Sequence, residues 1–95
     1  MSTKSNFTER LKRAHARAEL SIKELAIWFD DMSEVTMRTW LLGRKPQAYR
    51  SHSAERALGC LEAELQSAKS RLPLAGSLRQ GERHEHVAAI RKRYR

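Results

Sequence analysis

An all-α fold, a compact bundle of about five helices, is the expectation from three features of the sequence. Apolar residues make up 40% of the 95 positions but aromatic ones only 6%, so a core must be assembled from Leu, Ala, Ile, Val and Met, a helical inventory. The prolines, Pro46 and Pro73, leave long uninterrupted stretches between them. Within those stretches apolar residues recur at steps of three and four, the period of a helix with one buried face. The length suits one hydrophobic core and leaves no room for a second independent domain.

Taken in order, residues 1–6 are polar and unpatterned and read as a loose arm. Phe7, Leu11, Ala14 and Ala18 then mark a first amphipathic helix, with Lys12, Arg13 and Arg17 on other faces and Asn6 or Thr8 as its cap. Ser21, followed three positions later by Glu24, has the capping-box pattern that opens a second helix. Its apolar set is Ile22, Leu25, Ala26 and Phe29, with Trp28 at an edge. Asp30 and Asp31 end it, being poor helix residues that form turns readily. Ser33 caps a third helix carrying Val35, Thr36, Met37, Trp40 and Leu41, which Gly43 closes in a left-handed conformation. Pro46 is expected to prevent resumption for several residues, so the fourth helix is placed over 53–68. Its stripe is Ala54, Leu58, Leu61 and Leu65, and Gly59 weakens it by about 1 kcal/mol relative to alanine. Pro73, Gly76 and Gly81 mark 72–81 as a linker. A last helix over 82–94 places Val87, Ile90 and Tyr94 on one side.

The charge is strongly positive. Nineteen Lys and Arg face eleven Asp and Glu, a formal net charge of +8, with a pI near 10.4. Ten basic and six acidic side chains fall in residues 1–50, nine and five in 51–95, so the basicity belongs to the whole fold and not to a tail. Such a field attracts polyanions, which makes nucleic acid the first partner to consider and an acidic protein surface the second. The single Cys60 cannot form an internal disulfide and has no catalytic setting; it reads as a small buried hydrophobe. With no apolar run long enough for a signal peptide or a membrane span, the expected location is the cytoplasm, a bacterial cytosol or nucleoid.

Two short helices joined by a tight turn, with the small Ala26 at their crossing and apolar residues at fixed offsets on both sides, have the pattern of a helix-turn-helix. The segment SIKELAIWFDDMSEVTMRTWLLGRKP, residues 21–46, resembles the phage-repressor-like helix-turn-helix family, the Cro/repressor or xenobiotic-response-element type. The resemblance rests on Ser21 with Glu24-Leu25-Ala26, on the second cap Ser33, and on Trp40 followed by Gly43-Arg44-Lys45-Pro46. It covers about a quarter of the chain directly. One departure stands out: the family has a glycine and one apolar residue after its second helix, whereas Asp30 and Asp31 precede Met32, as though one residue were inserted.

The resemblance implies that the third helix enters the major groove of duplex DNA, with Ser33, Glu34, Val35, Arg38 and Thr39 at the base edges. Arg38 has the planar fork that pairs with the two acceptors of guanine, Glu34 can accept from a cytosine amino group, and Val35 can touch a thymine methyl. Ser21, Arg44, Lys45 and Arg50 fall to phosphates, which fix register without reading sequence. The bland alternative is that Glu34 and Arg38, four apart, form a surface ion pair. Arg91, Lys92, Arg93 and Arg95 form a basic cluster that is either a second DNA contact or a solvated end. His84 and His86 stand two apart on a helix and point to different faces, so neither a metal nor another cofactor is expected.

The stripe of the fourth helix either covers the helix-turn-helix within one chain or forms a dimer seam. A homodimer on a palindromic site, with the fourth or fifth helix as its seam, is the expectation, because a single recognition helix reads few base pairs. In domain terms, 1–71 is a DNA-binding domain with a fourth packing helix. Residues 72–95 add a linker and a basic helix that either belongs to the same domain or serves as a dimerising or DNA-contacting arm. The function expected is that of a sequence-specific transcriptional regulator, a repressor of phage or mobile-element type. Its rivals are an interaction protein docking on an acidic surface, such as the transcription machinery, and a structure-directed nucleic-acid binder. No nucleophile with a base, carboxylate pair or phosphate-cradling glycine loop suggests an enzyme.

Overall fold

A computed structural model describes residues 6–94, so most of the expected N-terminal arm, and Arg95, lie outside the described residues. Five helices follow one another with no strand among the described residues: α1 (Phe7–Ala18), α2 (Ile22–Trp28), α3 (Glu34–Leu41), α4 (Ala48–Gln66) and α5 (Gln80–Lys92). The principal packed pairs are α1 with α4, α2 with α5, α2 with α3, and α1 with α3.

The caps explain where the first three helices begin. Asn6 accepts from the Glu9 amide at 2.8 Å. The Ser21 hydroxyl accepts from the Glu24 amide, and the Glu24 carboxylate accepts from the Ser21 amide, both halves of the capping box. Ser33 accepts from the Thr36 amide at 3.1 Å. Gly43, which follows α3, has φ +118°, the positive value expected of a terminating glycine.

The turn between α2 and α3 closes one position later than a Schellman ending does. Asp30 donates its amide to the Ile27 carbonyl, as in a Schellman ending, but the Ala26 carbonyl is reached by the amide of Met32, six positions on, at 3.0 Å. The usual closing bond spans five positions. Asp30 and Asp31 are both left-handed, with φ 64° and 60°. That conformation costs an L residue about 1–2 kcal/mol, and aspartate tolerates it better than most.

One core joins all five helices, taking in Leu11, Leu25, Trp28, Met37, Trp40, Leu58, Leu61, Val87 and Ile90. The Trp40 ring meets Phe7 and Phe29 edge-on, at centroid distances of 5.6 and 5.9 Å, so this tryptophan is a packing residue. Trp28 corrects the sequence reading: it is fully buried, 0% exposed, and its indole N–H donates to the Ala57 carbonyl of α4 at 2.8 Å. The alanines Ala54 and Ala57 on the facing side of α4 are buried with it, and small residues let a large ring approach.

α4 starts five residues before the sequence placed it. Pro46 precedes the N-cap Gln47, where its missing N–H costs nothing. From Gln47 to Ser53 every residue is exposed, so these two turns have no apolar stripe and extend outward from the packed part of the helix. The Ala54, Leu58 and Leu61 stripe faces the chain's own core, with Leu65 and Cys60 half-buried beside it. On α1, the Arg10 guanidinium bridges Glu62 and Glu55 of α4 at 2.6 and 2.8 Å.

α5 is fixed along α2 by Val87 and Ile90 and by two arginines. Arg83 forms an ion pair with the buried Glu24 at 2.7 Å, and Arg91 donates to the Trp28 carbonyl at 3.0 Å. Tyr94 donates to Glu64 of α4 at 2.7 Å, and the loop amide of Arg71 donates to the same carboxylate at 2.8 Å. The bond to Glu64 pushes the Tyr94 phenol up to about 12. The last helix is therefore part of the common core.

Candidate nucleic-acid interface

α3 has two faces. Met37 and Trp40 are buried, with Thr36 and Leu41 half-buried beside them, while Val35, Arg38 and the following Leu42 are exposed. Val35 is 69% exposed and Leu42 85%, and the spacing of 35, 38 and 42 puts them in one outward row. Arg38 is thus on the outside, as the expected register requires. No ion pair joins it to Glu34 among the described residues, so the surface pair weighed in the sequence is not formed.

Beside this row lies a shallow cleft of about 270 Å³ between α3 and the protruding start of α4. Val35 and Thr39 form one side, Tyr49 and Arg50 the other, and Arg44 and Lys45 also line it. The Arg50 guanidinium stacks 5.5 Å from the Tyr49 ring centroid. The three phosphate candidates Arg44, Lys45 and Arg50 are exposed and converge on one edge of α3.

Other expected site residues are committed elsewhere. The Ser33 hydroxyl accepts from the Thr36 amide and donates to the Thr36 hydroxyl at 2.9 Å, so its proton is used in the cap. Thr39 donates to the Thr36 carbonyl at 2.7 Å, which leaves it only lone pairs to offer. Glu34 is half-buried. Ser21 is exposed, but its capping box sets the Glu24 carboxylate at the start of α2, and hydrogen bonds from Arg83 hold that carboxyl below its ordinary value against the opposing effect of burial. The Ser21 amide is thus already bonded to that carboxylate and is not open to a phosphate.

Arg91 is a correction. It is 7% exposed, its Nε bonds the Trp28 carbonyl, and an Nη lies 3.7 Å from Asp30. It serves the interior and is not a solvent-facing DNA contact. Lys92 and Arg93 are exposed at the end of α5, and Arg95 lies outside the described residues. His84 is half-buried and His86 exposed; among the described residues no group of three His, Cys, Asp or Glu side chains is placed to hold a metal.

Sequence reasoning missed two exposed apolar residues, Leu42 and Tyr49. Tyr49 is 75% exposed, and the signal that would have found it was its position three residues after Pro46, on the first turn of a helix beginning at once. Among the described residues no helix is long and apolar enough to cross a membrane. Comparisons with family models, with curated proteins and with solved structures find no match.

Proposed function

We propose that the chain is a duplex DNA-binding protein of helix-turn-helix type that reads sequence with the outward row of α3. The observation that carries this reading is the coincidence, on one side, of an exposed helix face whose Arg38 has no ion pair among the described residues and an adjoining cleft with three exposed cations, Arg44, Lys45 and Arg50. Arg38 and Val35 supply direct readout, and the cleft cations hold the phosphate strand that borders the groove. The net charge of +8 supports non-specific attraction over a longer range. A regulatory role, a repressor of phage or mobile-element type, follows from the family resemblance alone.

A second reading has its own observation. Val35, Leu42 and Tyr49 are the exposed large apolar side chains of the described residues; Val35 and Tyr49 line the same basic cleft and Leu42 continues the outward row of α3 beside it, which suits an acidic protein surface with apolar anchors. The two readings separate in one experiment: binding of mixed-sequence duplex DNA measured by fluorescence anisotropy across a salt series. The DNA reading requires affinity that falls steeply with salt as counterions are released. Absence of binding at low salt rejects it and leaves the protein surface.

A further inference from the structure

Arg91 is an expensive residue to bury, and what it touches is unusual. Its Nε donates to the carbonyl of Trp28, the last residue of α2, at 3.0 Å. An Nη lies 3.7 Å from a carboxylate oxygen of Asp30, the first of two consecutive left-handed residues. Its Nη1 is buried with no hydrogen-bond partner among the described residues. A buried guanidinium with an orphaned donor, paired at 3.7 Å with a carboxylate that is itself 44% exposed, is a poor stabiliser, since an apolar side chain of similar volume packs as well without the desolvation. The arrangement makes sense as a geometric device.

The turn needs one. Two adjacent non-glycine residues at positive φ are each costly, and such a conformation persists only where the surroundings enforce it. Within the turn, the Met32 amide bonds the Ala26 carbonyl across both left-handed residues. From outside, Arg91 holds both the orphan carbonyl at the end of α2 and the side chain of the first left-handed residue. Arg91 is in turn anchored by its helix, whose Val87 and Ile90 are in the core and whose Arg83 grips Glu24 at the opposite end of α2. α5 therefore clasps α2 at both ends, and at the second end the clasp extends to the turn that launches α3.

We propose that Arg91 is a positioning residue: by fixing the Asp30-Asp31 turn from α5, it sets the direction in which α3 is presented. Its consequence for DNA rests on the reading of α3 given above. Arg91 then contributes to recognition through the turn and not by touching phosphate.

The test uses the full chain and two readouts. In amide exchange by NMR, Arg91→Met speeds exchange of the Met32 amide about tenfold relative to the buried part of α4, because the turn opens locally while the core stays closed. Asp31→Gly added to Arg91→Met restores most of that protection, since glycine adopts positive φ without a Cβ clash; added to the wild type it changes little. In DNA binding, Arg91→Met weakens a mixed-sequence duplex with an unchanged salt slope, whereas loss of a phosphate contact lowers the slope by about one. Wild-type protection at Met32, failure of the glycine to rescue, or a lowered slope overturns the proposal. If Arg91→Met does not fold, Arg91→Lys, which keeps the charge but not the fork, undergoes the same comparison. A wild-type protein that binds no duplex rejects the DNA reading, and the exchange experiment then decides the role of Arg91 on its own.

Discussion

The indole N–H of Trp28 donates to the carbonyl of Ala57 across 2.8 Å in the buried centre of the molecule. This bond ties α2 to α4, and the same tryptophan offers its own carbonyl to Arg91 of α5. Three helices are thus connected through one residue. Trp28→Phe removes the N–H and part of the ring, and the expected loss is about 1–3 kcal/mol from the cavity and the broken bond. The unfolding midpoint in urea measures it; an unchanged midpoint would return Trp28 to the edge position that the sequence suggested.

Leu61 decides between the two roles of the α4 stripe. It is fully buried against the chain's own core, so Leu61→Ala costs about 2–5 kcal/mol, the usual range for a large-to-small core change. The thermal midpoint of the wild type is expected to be independent of protein concentration, because the apolar stripes of α4 and α5 are covered within one chain. A midpoint that rises with concentration, together with a small effect of Leu61→Ala, would restore the dimer seam.

Glu24 makes part of the stability acid-sensitive. Hydrogen bonds from Arg83, opposed by burial and aided by the Ser21 amide, hold its carboxyl below the ordinary 4.5. A carboxyl depressed in the folded state stabilises above its unfolded value and loses that contribution as pH falls through the folded one. Glu24→Gln is therefore less stable than the wild type at neutral pH, and its stability declines less steeply on acidification below 4.5. Parallel profiles of the two proteins between neutral pH and pH 3, measured by circular dichroism, would show that the pair with Arg83 carries no such linkage.

Much of this was legible in the sequence because it is local. Capping residues announce themselves at Ser21 and Ser33, and at the first helix as a choice between Asn6 and Thr8 that the structure settles for Asn6, while the three-four spacing of Leu11, Ala14 and Ala18 or of Leu58, Leu61 and Leu65 identifies a buried stripe from one helix alone. What was not legible depends on a partner. The burial of Trp28 requires Ala57, twenty-nine residues away, and that of Arg91 requires the carbonyl at the end of α2. The first two turns of α4 escaped notice because all their residues are exposed, so no apolar period marks them. The candidate site divides the same way. The outward position of Arg38 follows from the spacing of Met37, Trp40 and Leu41, whereas the cleft that gathers Arg44, Lys45, Arg50 and Tyr49 exists only because α4 begins immediately after Pro46.

Lys45 stands apart from Arg38 in the proposed reading, although both are exposed cations of one neighbourhood. Lys45 lies in the cleft, where a phosphate contact gives affinity without discrimination. Lys45→Ala is expected to weaken cognate and random duplexes almost equally and to lower the salt slope by about one. A loss confined to the cognate duplex would move Lys45 to the base-reading surface.

Selection from a random duplex library with the wild type and with Arg38→Ala tests the central claim most directly. The reading of α3 predicts an enriched motif for the wild type that contains guanine at one position, and the loss of that preference in Arg38→Ala at a cost of about 1–3 kcal/mol with the fold retained. No enrichment by the wild type, or the same motif from both proteins, would contradict it.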